Sequence, residues 1–423
     1  MVRCDRAGRR VAATGVRATL WALAIGLLFG SVHAQQSVEI TMWFGRQNFI
    51  PADAFETFHR ENPGIRVKTD VIPLEQAVAD VLRTARAGQA PDIVQVPADG
   101  VPPLALQGAL YDFGPLLAKW QAEEPASYAN LAQAAFDFAT YQGTAHGVAL
   151  HYGPYWFTYR IDWFEEAGIP HPPATWDDVL AAGRALRKAD RIGFSVIGSR
   201  AHDPVWFLAT YMAMGGQWVD GVPQLDSDAG RYLLGFYQAL VRDDIAHPET
   251  LAWTSGEMRA AFIGGGAAQA MIGDNIYPTL NQSLAYGTQW AGSPPPPRPG
   301  GEADNRVMAL GWPYLVTAGT QHPEAVLKVL QYLARPEIVA EVALRYQPTT
   351  VLPVMTDPGY VEAKPWAPDF AAPFAELVPL PSHPRQPQIY QILLDAMQDA
   401  LQNPNADAAA MAARYQAQLD ELR

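Results

Sequence analysis

The sequence predicts an α/β fold built in two parts, and three observations carry that prediction. Between Val38 and Val96 the apolar residues recur with period two, then with helical spacing, then with period two again. Glycine, proline and asparagine punctuate the joints, as at Asn62-Pro63-Gly64 and Gly88. The segment beyond residue 34 has about 390 residues, enough for two cores at roughly 100–200 residues per domain.

In chain order, Arg3, Arg6, Arg9, Arg10 and Arg17 precede an apolar run from Leu20 to Phe29, and small residues end at Val32-His33-Ala34. That is the pattern of a signal peptide cleaved after Ala34 and read by the general secretory route, too short in its apolar part to span a bilayer. Cys4 lies inside it and is the chain's only cysteine, so residues 35–423 carry no disulfide, no thiol nucleophile and no cysteine metal ligand. A lipid-anchored protein would need a cysteine where Ala34-Gln35 stand.

After the leader, Val38, Ile40 and Met42 alternate with Glu39, Thr41 and Trp43, a strand; Phe55 and Phe58 share one helical face; Ile65, Val67, Thr69 and Val71 alternate again. A second helix follows through Ala77, Val78, Val81, Leu82 and Ala85, and then the strand Ile93–Val96. This β-α-β-α-β unit predicts a parallel sheet, whose ligands sit beyond the carboxyl ends of the strands, where Trp43 and Asp99 fall. Asp92 reads as a residue fixing the turn into the third strand. Beyond residue 104 helices dominate, and Thr175 with Asp178 three residues later forms a capping box that starts one of them. Ser293–Gly301, with its run of prolines, reads as a stiff loop.

The whole chain carries 30 basic against 43 acidic side chains, a net charge of −13, and loss of the arginine-rich leader makes it more acidic still. An acidic surface without basic clusters argues against nucleic acid or anionic membrane as partner. No zinc, phosphate-loop or nucleophile-elbow motif occurs. Neither a metal nor a cofactor is expected.

The stretch His146-Gly147-Val148-Ala149, Phe157-Thr158-Tyr159-Arg160, Phe164–Ile169 and Pro172-Pro173-Ala174-Thr175-Trp176-Asp177-Asp178 resembles the extracellular solute-binding proteins of carbohydrate importers. Met214-Gly215-Gly216, Ala261–Met271, Leu310–Tyr314 and His322–Ala325 continue the resemblance in order over almost the whole chain after the leader. Ala149 stands where that family usually has proline and Arg160 where it usually has asparagine, the marks of a diverged member. The resemblance implies a two-lobed periplasmic binding protein fold of type II, each lobe a mainly parallel sheet flanked by helices, with a hinge between them. By similarity, lobe one holds residues 36–150 and 310–350, and lobe two 151–309 and 351–423. It further implies a monomeric periplasmic receptor that closes on a carbohydrate, a di- or oligosaccharide, and delivers it to a membrane permease driven by a cytoplasmic ATPase.

A sugar ring has an apolar face and a hydroxylated rim, so such a receptor needs flat aromatic platforms beside convergent carboxylates and amides. The 12 tryptophans, 17 tyrosines and 16 phenylalanines meet that demand. Trp43 reads equally as a platform or a core residue. The resemblance places ligand contacts at Asp99, at His151 and Tyr152 on the crossing segment, at Asp203 and Trp206, at Asn275 with Tyr277 as a substitute ring, at Gly311 and Trp312, and at Arg385. For each there is a plainer reading: a cap or loop residue for Asp99, a structural histidine for His151, a buried helix residue for Trp206, and for Arg385 a surface turn with Tyr390 packing its helix.

Two rival functions are weighed. A polysaccharide-degrading enzyme needs two carboxylates about 5–9.5 Å apart across the scissile bond; no motif marks such a pair, and Asp99 and Asp203 fall on different lobes. The same fold binding a phosphorylated polyol, such as glycerol 3-phosphate, needs convergent cations, for which Arg46, Arg200 and Arg385 are the few candidates.

Overall fold

Alternation in the first strand resolves into burial: in β1 (Val38–Phe44) Ile40, Met42 and Phe44 face a core, while Thr41 and Trp43 face the other side. The computed structural model describes residues 37–45, 50–51, 53–301, 307–369 and 377–423; the leader, its cleavage site and Arg46 lie outside the described residues. Phe58 of α1 (Ala54–Glu61) seals β1, and the chain returns through β2 (Ile65–Val71), α2 (Ala77–Arg86) and β3 (Ile93–Gln95). β1 pairs in parallel with both β2 and β3, the arrangement the alternating periods predict. Asp92 locks it: its carboxylate accepts from the Thr41 amide at 2.8 Å, the Thr41 hydroxyl at 2.9 Å and the Thr320 hydroxyl at 2.7 Å.

Two long strands organise the rest. β4 (Gly147–Tyr159) is buried along all 13 residues, a run of roughly 43 Å at about 3.3 Å per residue. It is therefore long enough to serve two cores: Val148 and Leu150 belong to the one that contains β1, whereas Phe157 and Tyr159 belong to a second. Along this second stretch β4 pairs with β5 (Gln269–Gly273) and β6 (Ala291–Ser293). Its partner β7 (Val307–Val316) runs antiparallel to it and makes the reverse crossing, Met308 in the second core and Tyr314 and Val316 in the first. With β8 (Leu377–Pro379) these strands form one 8-stranded sheet, in which β6, β4, β7, β3, β1 and β2 follow one another. Pairing is parallel for β1–β2, β1–β3 and β7–β8, and antiparallel wherever β4 takes part and between β7 and β3, so the sheet is mixed.

Helices cover the sheet. α3 (Trp176–Leu186) begins at the expected capping box, the Thr175 hydroxyl and the Asp178 carboxylate each serving the other's backbone N–H. α4 (Val205–Ala213), α5 (Asp228–Arg242) and α6 (Ser255–Ile263) follow; α5 packs against α8 (Gln386–Gln402) and α9 (Ala408–Asp420) in the second core. α7 (Pro323–Leu333) covers the first core. Val351, Val354 and Tyr360, which the sequence division gives to the second lobe, pack in the first core.

Candidate functional site

A cavity of about 440 Å³ opens where the loops of the two cores face each other over β4 and β7. One wall is Leu74 and Val78 of the α2 region with Pro97 and Asp99 beyond β3; the other is Asp203 and Trp206 at the start of α4, Arg259 of α6 and Tyr390 of α8. Gly153 and Tyr155 of β4, Leu310 and Trp312 of β7, and Tyr346 and Gln347 floor it.

Each side chain is placed by its element. Asp99 sits on a 3-10 turn, Ala98–Gly100, that leaves the end of β3, the crevice position of an open parallel sheet. Its Oδ2 accepts from the Tyr390 hydroxyl at 2.8 Å. Burial between the walls pushes its carboxyl up to about 6, against the opposing pull of the Tyr390 hydrogen bond and with a further push from Asp203. Asp203 Oδ1 accepts from the Val205 amide at 3.0 Å and so starts α4, while Oδ2 lies 3.6 Å from His202 Nδ1. One carboxylate thus caps a helix and lines the cleft at once.

Trp206, in the first turn of α4, is held edge-on by Tyr155 and by His202, both with ring centroids 5.0 Å away, and the Arg259 guanidinium lies 5.7 Å from its ring. Its indole N–H is buried without a hydrogen-bond partner among the described residues. Trp312 arrives by a register shift in the β7–β4 ladder between Gly311 and Pro313 and packs on Leu74, Val342 and Tyr346. Asn275, on the turn that follows β5, completes the lining.

Asp99, Asp203, Trp206, Asn275 and Trp312 are therefore brought to one cavity, and the other sequence candidates lie elsewhere. Trp43 packs against the α2 cluster of Ala77, Val81 and Val94, its core reading. His151 is 1% exposed in β4, its backbone bridged to Thr349, and burial holds its imidazole down to about 3, so it stays neutral. Tyr152 packs on Phe138, Ala149 and Ala309, on the face of β4 opposite Gly153. Gly311 meets the ring of Phe138 where a Cβ would collide, so its glycine serves packing. Tyr277 is fully buried, bonded to the Thr158 hydroxyl at 2.8 Å within an aromatic cluster. Arg385 precedes α8 and donates to the Glu421 carbonyl at 3.2 Å, outside the cleft.

Sequence reasoning assigned Tyr155 to the core and Tyr390 to helix packing, and did not single out Arg259, Tyr346 or Gln347. Tyr155 had a signal: Gly153 and Tyr155 share the face of β4 opposite Tyr152. For the others the neighbouring sequence holds none, because they meet the cleft only through the packing of α6, α8 and the 346–350 segment.

Comparison with known proteins agrees with this architecture. A profile of the bacterial extracellular solute-binding proteins matches residues 45–340. A putative binding protein of Brucella abortus is 22% identical over 217 residues, 49% of this chain, and the match spans half of that protein's length. The lactose-binding protein of Rhizobium radiobacter is 24% identical over 309 residues, 68% of each chain. Among solved structures, maltose-bound MalE3 of T. maritima superposes with a TM-score of 0.77 at 21% identity, covering 92% of this chain and 100% of its own. A ribitol complex from Agrobacterium radiobacter K84 does so with a TM-score of 0.77 at 19% identity, over 92% and 100%. With a mixed sheet shared by two cores, a cleft over the crossing strands and a profile match across most of its length, this chain belongs to the bacterial extracellular solute-binding proteins.

Proposed function

We propose that this chain is the receptor of an ATP-driven importer, which captures an uncharged carbohydrate, a di- or oligosaccharide, between two lobes and passes it unchanged to a membrane permease. The observation that carries the reading is the pairing, in one cavity, of the aromatic rings of Trp206, Trp312 and Tyr155 with carboxylates from opposite walls, Asp99 and Asp203. Flat apolar faces suit the C–H face of a sugar, and carboxylates accept its hydroxyls. The buried N–H of Trp206 adds a donor that a ligand oxygen would satisfy. Relatives named for lactose, maltose and ribitol support the same class.

An anionic ligand is disfavoured. Of the arginines in the described residues only Arg259 lines the cavity; Arg200 is tied to Gln398 at 2.9 Å and Asp395 at 2.6 Å, and Arg385 lies on another surface. A glycosidase is disfavoured as well, since Asp203 is engaged at a helix start and Asp99 by Tyr390. Lobe one would comprise residues 36–150 and 310–350 and lobe two 151–309 and 351–423, with the 351–360 stretch docked on the first. An exported, periplasmic monomer acting with the permease and its ATPase completes the proposal. No described helix is long and apolar enough to cross a membrane.

A thermal-shift screen tests it: a sugar at 100 times its Kd stabilises the fold by about 2.7 kcal/mol and raises the melting temperature. A response to neutral di- or oligosaccharides that Trp206→Ala and Asp203→Ala abolish is expected. A response confined to phosphorylated polyols, or hydrolysis of the sugar during the assay, would overturn the ligand class or the binding role respectively.

A further inference from the structure

We propose that Tyr390 is a positioning residue of the cleft: its hydroxyl ties α8 on one wall to Asp99 on the other, holding the walls together before ligand arrives and aiming the Asp99 carboxylate into the cavity. The bond spans 291 residues of sequence and measures 2.8 Å. It joins two elements that otherwise belong to different cores: Ile389 and Leu393 of α8 are buried in the second, and the turn bearing Asp99 leaves β3 in the sheet of the first. Successive helical residues are turned by about 100°, so Tyr390 points off the face that Ile389 buries and reaches over the cavity. Its ring leans on the second core while its hydroxyl spans the gap.

The chemistry suits a latch. The backbone N–H groups of Asp99 and Gly100 hold the carboxylate from its own turn, and Tyr390 takes Oδ2 from across the cleft. An O–H donated to a carboxylate is about twice as strong as a bond between neutral groups. Burial pushes the Tyr390 phenol well above its ordinary range, so it remains a donor at every physiological pH. The charged and titratable groups that line the cavity with Asp99 are Tyr390, Tyr155, Tyr346, Asp203 with His202 before α4, and Arg259 of α6. Of these, Asp203 works against the Asp99 charge and Tyr390 for it. Protonation of Asp99 weakens the Tyr390 bond but also removes a charge that burial between the walls disfavours, so the tie reads most cleanly where Asp99 is charged.

The latch is read without any ligand; only its aiming role rests on the receptor reading. Since Cys4 is the sole cysteine, a Cys4→Ser background with Arg83→Cys on α2 and Gln388→Cys on α8 places one spin label on each wall. Pulsed electron paramagnetic resonance of the purified protein at pH 8 is expected to give a short, narrow distance distribution. Tyr390→Phe, which keeps the ring, is expected to lengthen and broaden it, lowering the closed-to-open ratio about tenfold for one lost charge-assisted bond. A Tyr390→Phe distribution that superposes on the wild type at pH 8 overturns the proposal. If Tyr390→Phe does not fold, Tyr390→Leu, which keeps apolar bulk on α8 without the hydroxyl, is expected to lengthen and broaden the distribution at pH 8, and an unchanged one overturns the latch. The same samples are probed by thermal shift with maltose, lactose and ribitol. Silence there with an intact latch response counts against the receptor reading alone.

Discussion

At Trp206 the indole N–H is buried without an acceptor among the described residues, a state that costs roughly 1–3 kcal/mol until something accepts it. Trp206→Phe removes that donor and keeps a ring between Tyr155 and His202. We therefore expect the melting temperature of the unliganded protein to hold or rise while the Kd for a bound sugar, measured by titration calorimetry, weakens about tenfold, the equivalent of 1.4 kcal/mol. Asp99 behaves in the opposite sense to most native carboxylates. Its folded value of about 6 lies above the ordinary 3.8, so the folded state binds a proton that the unfolded chain has already released between those values. Stability thus falls as pH rises through that window and stays reduced above it. Asp99→Asn should accordingly add up to about 3 kcal/mol of stability at pH 8, seen as a higher melting temperature, lose that advantage below pH 4, and weaken sugar binding. A melting temperature for Asp99→Asn equal to or below the wild type at pH 8 would refute this.

Elements decide what the residues can reach. The register shift after Gly311 accompanies the turn of Trp312 into the cleft, and Gly311 itself packs so closely on Phe138 that a Cβ there would collide. Gly311→Ala should displace β7 from Phe138, lower the melting temperature and impair sugar binding; adding Phe138→Ala should restore part of both, as expected for two residues in contact. A double variant no better than the single would place the role of Gly311 elsewhere. Much of this scale was legible beforehand. The alternation of Val38, Ile40 and Met42 and the Thr175–Asp178 box follow from local rules of period and cap, whereas Asp92, read as a turn residue, makes its bonds to Thr41 and Thr320 far along the chain. Tyr155 is a buried member of the second core, as its aromatic-rich run suggests, and also lines the cavity, which the run Gly147–Arg160 hides because both faces of the strand are buried.

Across the whole molecule, the two cores are not consecutive in sequence. The first takes its apolar residues from β1, α1, the 113–135 stretch and the start of β4, then from Tyr314 and Val316 and from 326–360. A fragment ending at Tyr159 therefore lacks β7, α7 and the other residues of 314–360 that close this core. We expect residues 37–159 expressed alone to give neither a cooperative melting transition nor protected amides, and co-expression with 307–360 to restore both; a folded 37–159 would show that the first core is self-sufficient.

Taken by itself, the sequence determined the α/β class, the parallel β1–β2–β3 unit, an acidic composition and, through ordered landmarks, a resemblance to solute-binding proteins, because each of these is written in local periodicity, composition or spacing. It also put Asp99, Asp203, Trp206, Asn275 and Trp312 forward. Tertiary structure alone decided that these five share one cavity, that Trp43, His151, Tyr152, Gly311 and Arg385 point elsewhere, and that Tyr390 meets Asp99. The physical reason is that a cleft between two cores is assembled from chain segments hundreds of residues apart. Whether a given side chain faces it depends on helix rotation, strand face and a single register shift, none of which leaves a mark in the neighbouring sequence.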